Sequence, residues 1–139
     1  MGVFLKQRLS NKPLTVVGNG KQSRDFVNVK DVCRAFVMAS KTKKINKIIN
    51  IGSSKPVKVI SLAKMISSKV IFIPKRPGEP DISMAKISNA KKFLNWKPMI
   101  SFKNGIEELL KNIHFWKAAP LWDKTKIKKA TKIWFKYLK

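Results

Sequence analysis

The stretch "PLTVVGNGKQSRDFVNVKDVCRAF", residues 13–36, decides how this chain is read. "LTVV", 14–17, is a β-branched apolar run and predicts a strand. "GNG", 18–20, predicts a turn in which glycine admits positive φ. "DFVNV", 25–29, alternates apolar and polar residues and predicts a second strand. Asp31 is placed to cap a helix over about 31–40, with Val32, Ala35, Phe36 and Ala39 on one face. Cys33, inside that pattern, reads as a small core residue.

Working outward, residues 2–10 predict a short helix with Val3, Phe4, Leu5 and Leu9 on its apolar face. "KIINIG", 47–52, predicts a strand closed by glycine, and "VKV", 57–59, a short extended piece. Ser61 is placed to cap a helix over about 61–68. "VIFI", 70–73, predicts a buried strand. Residues 74–86, "PKRPGEPDISMAK", hold three prolines and a glycine and predict an irregular, functional loop. Short helices follow from Ser88, stopped by Lys97-Pro98, and from Ser101 over "FKNGIEELLKNIHFW". The last segment, "DKTKIKKATKIWFKYLK", predicts a basic helix with Ile127, Ala130, Trp134 and Leu138 on one face. That helix could dock on the body, or meet a membrane surface or nucleic acid. The fold class is mixed α/β, with short strands and about five helices.

The chain has 139 residues with 31 Lys+Arg against 7 Asp+Glu, a net charge of +24. Such a surface attracts phosphate in nucleic acid, anionic lipid or nucleotide. Only Arg8, Arg24, Arg34 and Arg76 are arginines, and arginine is the better reader of base edges. A lysine-rich compositional bias would give the same balance. One cysteine excludes an internal disulfide and a cysteine metal cage. No run reaches the ~18 apolar residues of a membrane span, and "MGVFLKQRLS" is too short and polar for a signal peptide. The expected location is the cytoplasm.

No self-contained catalytic set is visible. His114 is the only histidine and sits between Ile113 and Phe115, where a structural role is the plainer reading. The six glycines form neither a Walker loop nor Gly-x-Gly-x-x-Gly, and no Gly-x-Ser-x-Gly elbow exists.

The order of the residues nevertheless resembles a family. Residues 13–36 resemble "pLtvyGdGxqxRDFvyVdDvaxA" of the extended short-chain dehydrogenase/reductases, the NAD-dependent nucleotide-sugar epimerases and dehydratases. "NIGSSKPVKVISLAKMI", 50–66, is similar to the family's "NiGsGxxxsvxeLaxxi". "KRPGEPDISMAKISNAKKFLNWKPMISFKNGIEELL", 75–110, is similar to "xRpGDxxxsxADxsKAxxxLGWxPxxsleeGlxxxi". The three blocks stand in family order, and the UDP-glucose 4-epimerase-like proteins are the nearest subgroup.

The resemblance implies the carboxy-terminal, substrate-binding portion of a Rossmann-type enzyme over residues 1–113, followed by a basic amphipathic helical tail over 114–139. In the complete enzyme the sugar would be oxidised at C4 by hydride transfer to bound NAD, and the hydride returned. The amino-terminal half would bind NAD and carry Tyr-x-x-x-Lys. Tyr137 is the only tyrosine here, so that pair is impossible in this sequence. The chain alone is expected to be non-catalytic and not to bind NAD. Arg24 would approach the diphosphate, since a guanidinium offers directed paired donors, and Arg76 would be a second diphosphate or ribose contact. Glu79, where aspartate is common, would accept from the ribose hydroxyls. Leu14, Thr15 and Val16 would lie beside the base. The plain alternatives are surface ion pairs for Arg24, Arg76 and Glu79, and a core strand for 14–16. Lys30, Lys86 and Asn89 depart from the family pattern, with local pairing and capping the expected consequence. Trp96 falls at the "GWxP" position and reads as core.

The implied partners are a nucleotide-sugar, a UDP-sugar first, a separate amino-terminal NAD-binding half, and a second copy in a homodimer. Without that half, apolar surface and strand edges should be exposed. Two further readings stay open: a small basic nucleic-acid or anionic-surface binding protein, and a non-catalytic subunit that binds nucleotide-sugar.

Overall fold

The computed structural model describes residues 1–138. In chain order the elements are α1 (Gly2–Leu9), β1 (Leu14–Val17), β2 (Ser23–Arg24), α2 (Val29–Lys41), β3 (Val57–Lys58), α3 (Val59–Ile66), β4 (Val70–Ile73), α4 (Ser88–Leu94) and α5 (Phe102–Lys111). A 3-10 turn (Ile113–Trp116), α6 (Lys124–Ala130) and α7 (Lys132–Tyr137) follow. The class is mixed α/β, as expected, with seven α-helices rather than about five among the described residues. The chain divides into two compact units.

The first unit holds Met1–Ser23, Lys58–Asp81 and the chain from Ile106 onward. Its sheet is β1 paired in parallel with β4, in the register Leu14↔Val70 to Val17↔Ile73. Leu5, Leu14, Val16, Leu62, Ala63, Ile66 and Ile73 are buried. Gln7 is fully buried among them and fully used. Its amide nitrogen donates to Thr15 Oγ1 at 2.9 Å and to the Trp122 carbonyl at 2.6 Å, and its oxygen accepts from Thr15 N–H at 3.1 Å. A buried amide without those partners would cost several kcal/mol, on the order of 2–7.

The glycine turn explains where α3 begins. Gly20 has φ +71°, and a Cβ there would meet Ile60 Cβ at 2.8 Å and Val16 Cγ1 at 2.9 Å. The turn therefore lies flat on the helix start. Val59 N–H donates to the Gln22 carbonyl at 2.9 Å and Ile60 N–H to the Gly20 carbonyl at 3.0 Å. Those carbonyls do the work of a cap, so α3 starts at Val59 rather than at Ser61.

The second unit holds Arg24–Val57 and Ile82–Gly105. Its core is Ala35, Ile87, Ala90, Leu94 and Trp96, with Val27, Met38, Ile49, Ile51 and Ala85 packed against it. Asn28 caps α2, its Oδ1 accepting from Lys30 N–H at 2.9 Å, so the helix begins before Asp31. The buried stripe of α2 is Asp31 and Ala35, continued by Met38, at helical spacing. Phe36 is 72% exposed, Ala39 is exposed, and Cys33 is exposed rather than core. Cys33 stands two residues from Ala35, about 200° around the axis, which turns it away from the core.

Two predicted strands are absent among the described residues. Residues 25–28 and 47–52 form no ladder, although Ile49 and Ile51 pack on the core as the apolar pattern requires. Side chains hold these segments instead: Asn89 Nδ2 donates to the Ile48 carbonyl at 3.0 Å, and Asp25 anchors three backbone N–H groups. Ser101 opens α5 as expected, its Oγ accepting from Asn104 N–H at 3.1 Å.

The basic tail is two short helices, not one. Thr131 separates them, its Oγ1 donating to the Ile127 carbonyl at 2.8 Å. Such back-bonding by threonine competes with continuation of the helix. His114 is exposed, with its ring centroid 4.4 Å from that of Phe115. No helix among the described residues is long and apolar enough to cross a membrane.

Candidate nucleotide-sugar site

The site is built from the loop that follows β4. Proline at 74, 77 and 80 removes ladder donors, and Gly78 adopts φ +75° with open space where a Cβ would stand. The glycine therefore serves backbone conformation, not a close approach. This bend lets Arg76 and Glu79 face each other three residues apart, with Nη1 and Oε1 at 3.0 Å. Both side chains are partly buried, 28% and 21% exposed. Lys75 and Asp81 pair nearby at 2.8 Å, fully in solvent.

The sequence analysis did not find the third member of this cluster. Trp134 of α7 donates its indole N–H to the Pro77 carbonyl at 2.9 Å. The Arg76 guanidinium carbon lies 5.7 Å from the Trp134 ring centroid. The only signal in the sequence was one tryptophan on the tail's apolar stripe. Alongside lies a cavity of about 750 Å3. Its apolar floor includes Phe72, Ile127 and Phe135, and its rim carries Arg76 and Lys128.

Leu14, Thr15 and Val16 form the buried part of β1, at 0%, 6% and 0% exposure. Their side chains serve the core, Thr15 through Gln7. Arg24 ends β2 and is half-buried. It begins the second unit, whereas residues 14–16, Arg76 and Glu79 belong to the first.

Beside Arg24, Asp25 works as a structural anchor. Its carboxylate accepts from Ser53 N–H at 2.6 Å, Ser54 N–H at 3.1 Å and Ala85 N–H at 2.9 Å, and from the Ser53 hydroxyl. Gly52 admits this approach, since a Cβ there would stand 2.6 Å from Asp25 Oδ2. Asp31 plays the same part further on. It pairs with Arg34 at 2.8 Å and accepts from Met99 N–H at 3.0 Å and Ile100 N–H at 2.9 Å.

Burial pushes the Asp25 carboxyl up, but the bonds from Ser53, Ala85 and Ser54 outweigh it and hold the group below its usual range. Burial likewise opposes ionisation of Asp31, and Arg34 with the Ile100 and Met99 N–H groups outweighs it. Both folded values are depressed, so the stability they contribute is present above the unfolded value of about 3.9 and lost as pH falls through the folded ones. Urea unfolding should therefore show stability falling as pH drops below about 4. An Asp31→Asn variant should start less stable and show a shallower fall.

Comparison with known proteins places the chain. Residues 3–109 match the family described as GDP-mannose 4,6 dehydratase, and the chain belongs to that family of nucleotide-sugar epimerases and dehydratases. It is 38% identical over 110 residues to an uncharacterised UDP-glucose epimerase of Bacillus subtilis, covering 74% of this chain and 35% of the relative. It is 30% identical over 111 residues to UDP-glucuronate 4-epimerase of Thermodesulfobacterium geofontis, covering 75% and 34%. The UDP-glucuronic acid 4-epimerase of Bacillus cereus, solved with UDP-glucuronic acid and NAD, superimposes with a TM-score of 0.76 at 34% identity. That match covers 83% of this chain and 40% of the other. The chain thus spans little more than a third of the length of the relatives it matches.

The Gly18–Gly20 turn does not fit the pyrophosphate of NAD. A dinucleotide needs a glycine turn that leaves helix N–H groups free for the pyrophosphate. Here the Gly18–Gly20 turn is packed on Ile60 and Val16, and the N–H groups of Val59 and Ile60 are spent on the turn's own carbonyls.

Proposed function

We propose that residues 1–113 are the nucleotide-sugar-binding, carboxy-terminal portion of an NAD-dependent epimerase/dehydratase, and that a UDP-sugar is the ligand. The observation that carries this reading is the match over residues 3–109 to a family whose relatives are named for UDP-sugars. Arg76 has one nitrogen, Nη1, bonded to Glu79. The other donors of its fork are available to diphosphate oxygens. Arg24 supplies a second guanidinium, and Glu79 has carboxylate lone pairs for the ribose hydroxyls. The backbone of Leu14–Val16 carries the wall beside the base. The role of this chain is to bind and orient.

In this reading the Tyr-x-x-x-Lys pair and the NAD-binding turn would be supplied by a separate half, since the one tyrosine here is Tyr137 and the glycines form no Gly-x-Gly-x-x-Gly. The surface for that half has two parts. On α2, Val29, Phe36 and Val37 are 69%, 72% and 53% exposed beside Cys33. In the first unit, β1 and β4 pair only with each other among the described residues, and Phe72 is 54% exposed. Apolar faces and open strand edges of this kind favour association. A second copy would compete for the same faces.

Calorimetry with UDP tests the ligand. Saturable binding should persist from low to moderate salt. Arg24→Ala and Arg76→Ala should each weaken it about 10- to 100-fold, the worth of a charge-assisted hydrogen bond. Binding that is steeply salt-dependent, shared by single-stranded DNA and indifferent to both substitutions would instead make the lysine-rich surface a general polyanion binder.

A further inference from the structure

We propose that the tail supplies a positioning residue for nucleotide recognition: Trp134 holds the Arg76 guanidinium in the orientation that meets the diphosphate. The proposal rests on the nucleotide-sugar reading and extends it to residues outside the family match, which ends at residue 109.

The loop around Arg76 has no strand ladder; Glu79 N–H donates to the Arg76 carbonyl at 3.5 Å and Ser23 N–H to the Asp81 carbonyl at 2.8 Å. Its prolines donate no backbone bonds, Gly78 adds freedom, and Arg76 itself loses much rotamer entropy when fixed. Glu79 fixes one nitrogen of the fork at 3.0 Å, a single contact about which the side chain can still swing. Trp134 adds two restraints of a different kind. The indole N–H ties the ring to the Pro77 carbonyl at 2.9 Å, so the ring moves with the loop. The guanidinium carbon lies 5.7 Å from the ring centroid, within the range at which a cation is attracted to an aromatic face. The ring thereby restrains the guanidinium without using one of its donors. A ligand then meets an arginine whose ordering is already complete, which raises affinity by lowering the entropy lost on binding.

The tail's architecture serves this placement. Thr131 ends α6 and lets α7 take its own direction, bringing Trp134 to the loop. Trp134 touches no ligand in this account and acts through Arg76 alone.

A double-mutant cycle in the full 139-residue chain tests it, with UDP as the probe. Trp134→Ala should weaken UDP binding about five- to tenfold, the scale of a cation–π contact plus one hydrogen bond. Trp134→Phe keeps a ring and loses the N–H, so it should fall between. In an Arg76→Ala background, Trp134→Ala should have no further effect, which a merely structural role would not produce. An unchanged UDP affinity in Trp134→Ala, or an equal loss with and without Arg76, would overturn the positioning role. Wild-type chain that does not bind UDP at all would sink the nucleotide reading beneath it, a result distinguishable from either.

Discussion

Asp25→Ala is expected to remove a large share of the stability of the unit formed by residues 24–57 and 82–105. Three backbone N–H groups, from Ser53, Ser54 and Ala85, converge on one carboxylate together with the Ser53 hydroxyl. They belong to segments 28 to 60 residues away in sequence, and no strand ladder joins residues 25–28 to either of them. The carboxylate is the tie that a ladder would otherwise provide. Hydrogen bonds to a charged acceptor contribute about 1.5–3 kcal/mol each, and deletion strands the donors. These donors are only partly buried, so water recovers some of the loss. The net expectation is about 3–5 kcal/mol, a large share of the 5–15 kcal/mol of a typical domain. Urea unfolding followed by tryptophan fluorescence measures it. A change in midpoint no larger than that of an exposed control such as Lys44→Ala would contradict the account.

Trp96→Ala is the second large effect. Trp96 is fully buried and is the largest side chain of the second core. Its indole N–H donates to the Asp31 carbonyl at 2.9 Å, and the Arg34 guanidinium lies 5.7 Å from its ring centroid. Truncation leaves a cavity among Ala35, Ile87, Ala90 and Leu94 and removes the indole bond to a carbonyl that lies within α2. The expected cost is about 3–5 kcal/mol. Trp96→Phe retains much of the volume and should cost less, separating the cavity from the lost bond. The two variants losing equal stability would show that packing at this site contributes little.

Trp96 was legible in the sequence because it fell between a helix and a proline, at the position the family fills with core. The strands at 14–17 and 70–73 were legible because β-branched runs bounded by turns have few alternatives, but 70–73 is not the buried strand expected, since only Ile73 is buried. The alternation at 25–29 was misleading. Val27 packs inward as alternation demands, but Asp25 satisfies distant backbone groups through its side chain, and no local pattern records a bond to residue 53 or 85. The start of α2 was missed for a related reason. Asp31 has the composition of a cap, yet it is buried and spends its carboxylate on Arg34, Met99 and Ile100, while Asn28 caps. Cys33 was read as core, and Phe36 as sharing one apolar face with Val32, Ala35 and Ala39. Their exposure fits a helix with an apolar face on each side, one used within this chain and one open.

The candidate site was half legible. The Arg76–Glu79 ion pair that is found is the plain alternative that the sequence offered for these two residues, beside the ligand contacts that the resemblance implied. Trp134 lies 58 residues further on and joins them only through tertiary structure.

The central proposal is that this chain binds UDP, with Arg76, Glu79 and the strand at 14–16 of the first unit as its contacts. Backbone amide shifts of isotopically labelled chain during a UDP titration test it most directly. The account predicts saturable shifts concentrated at residues 14–16 and 75–79, extending to Trp134. Shifts spread over the lysines of α6 and α7 and shared with inorganic pyrophosphate would contradict it, leaving a basic surface that attracts phosphate without reading the nucleotide.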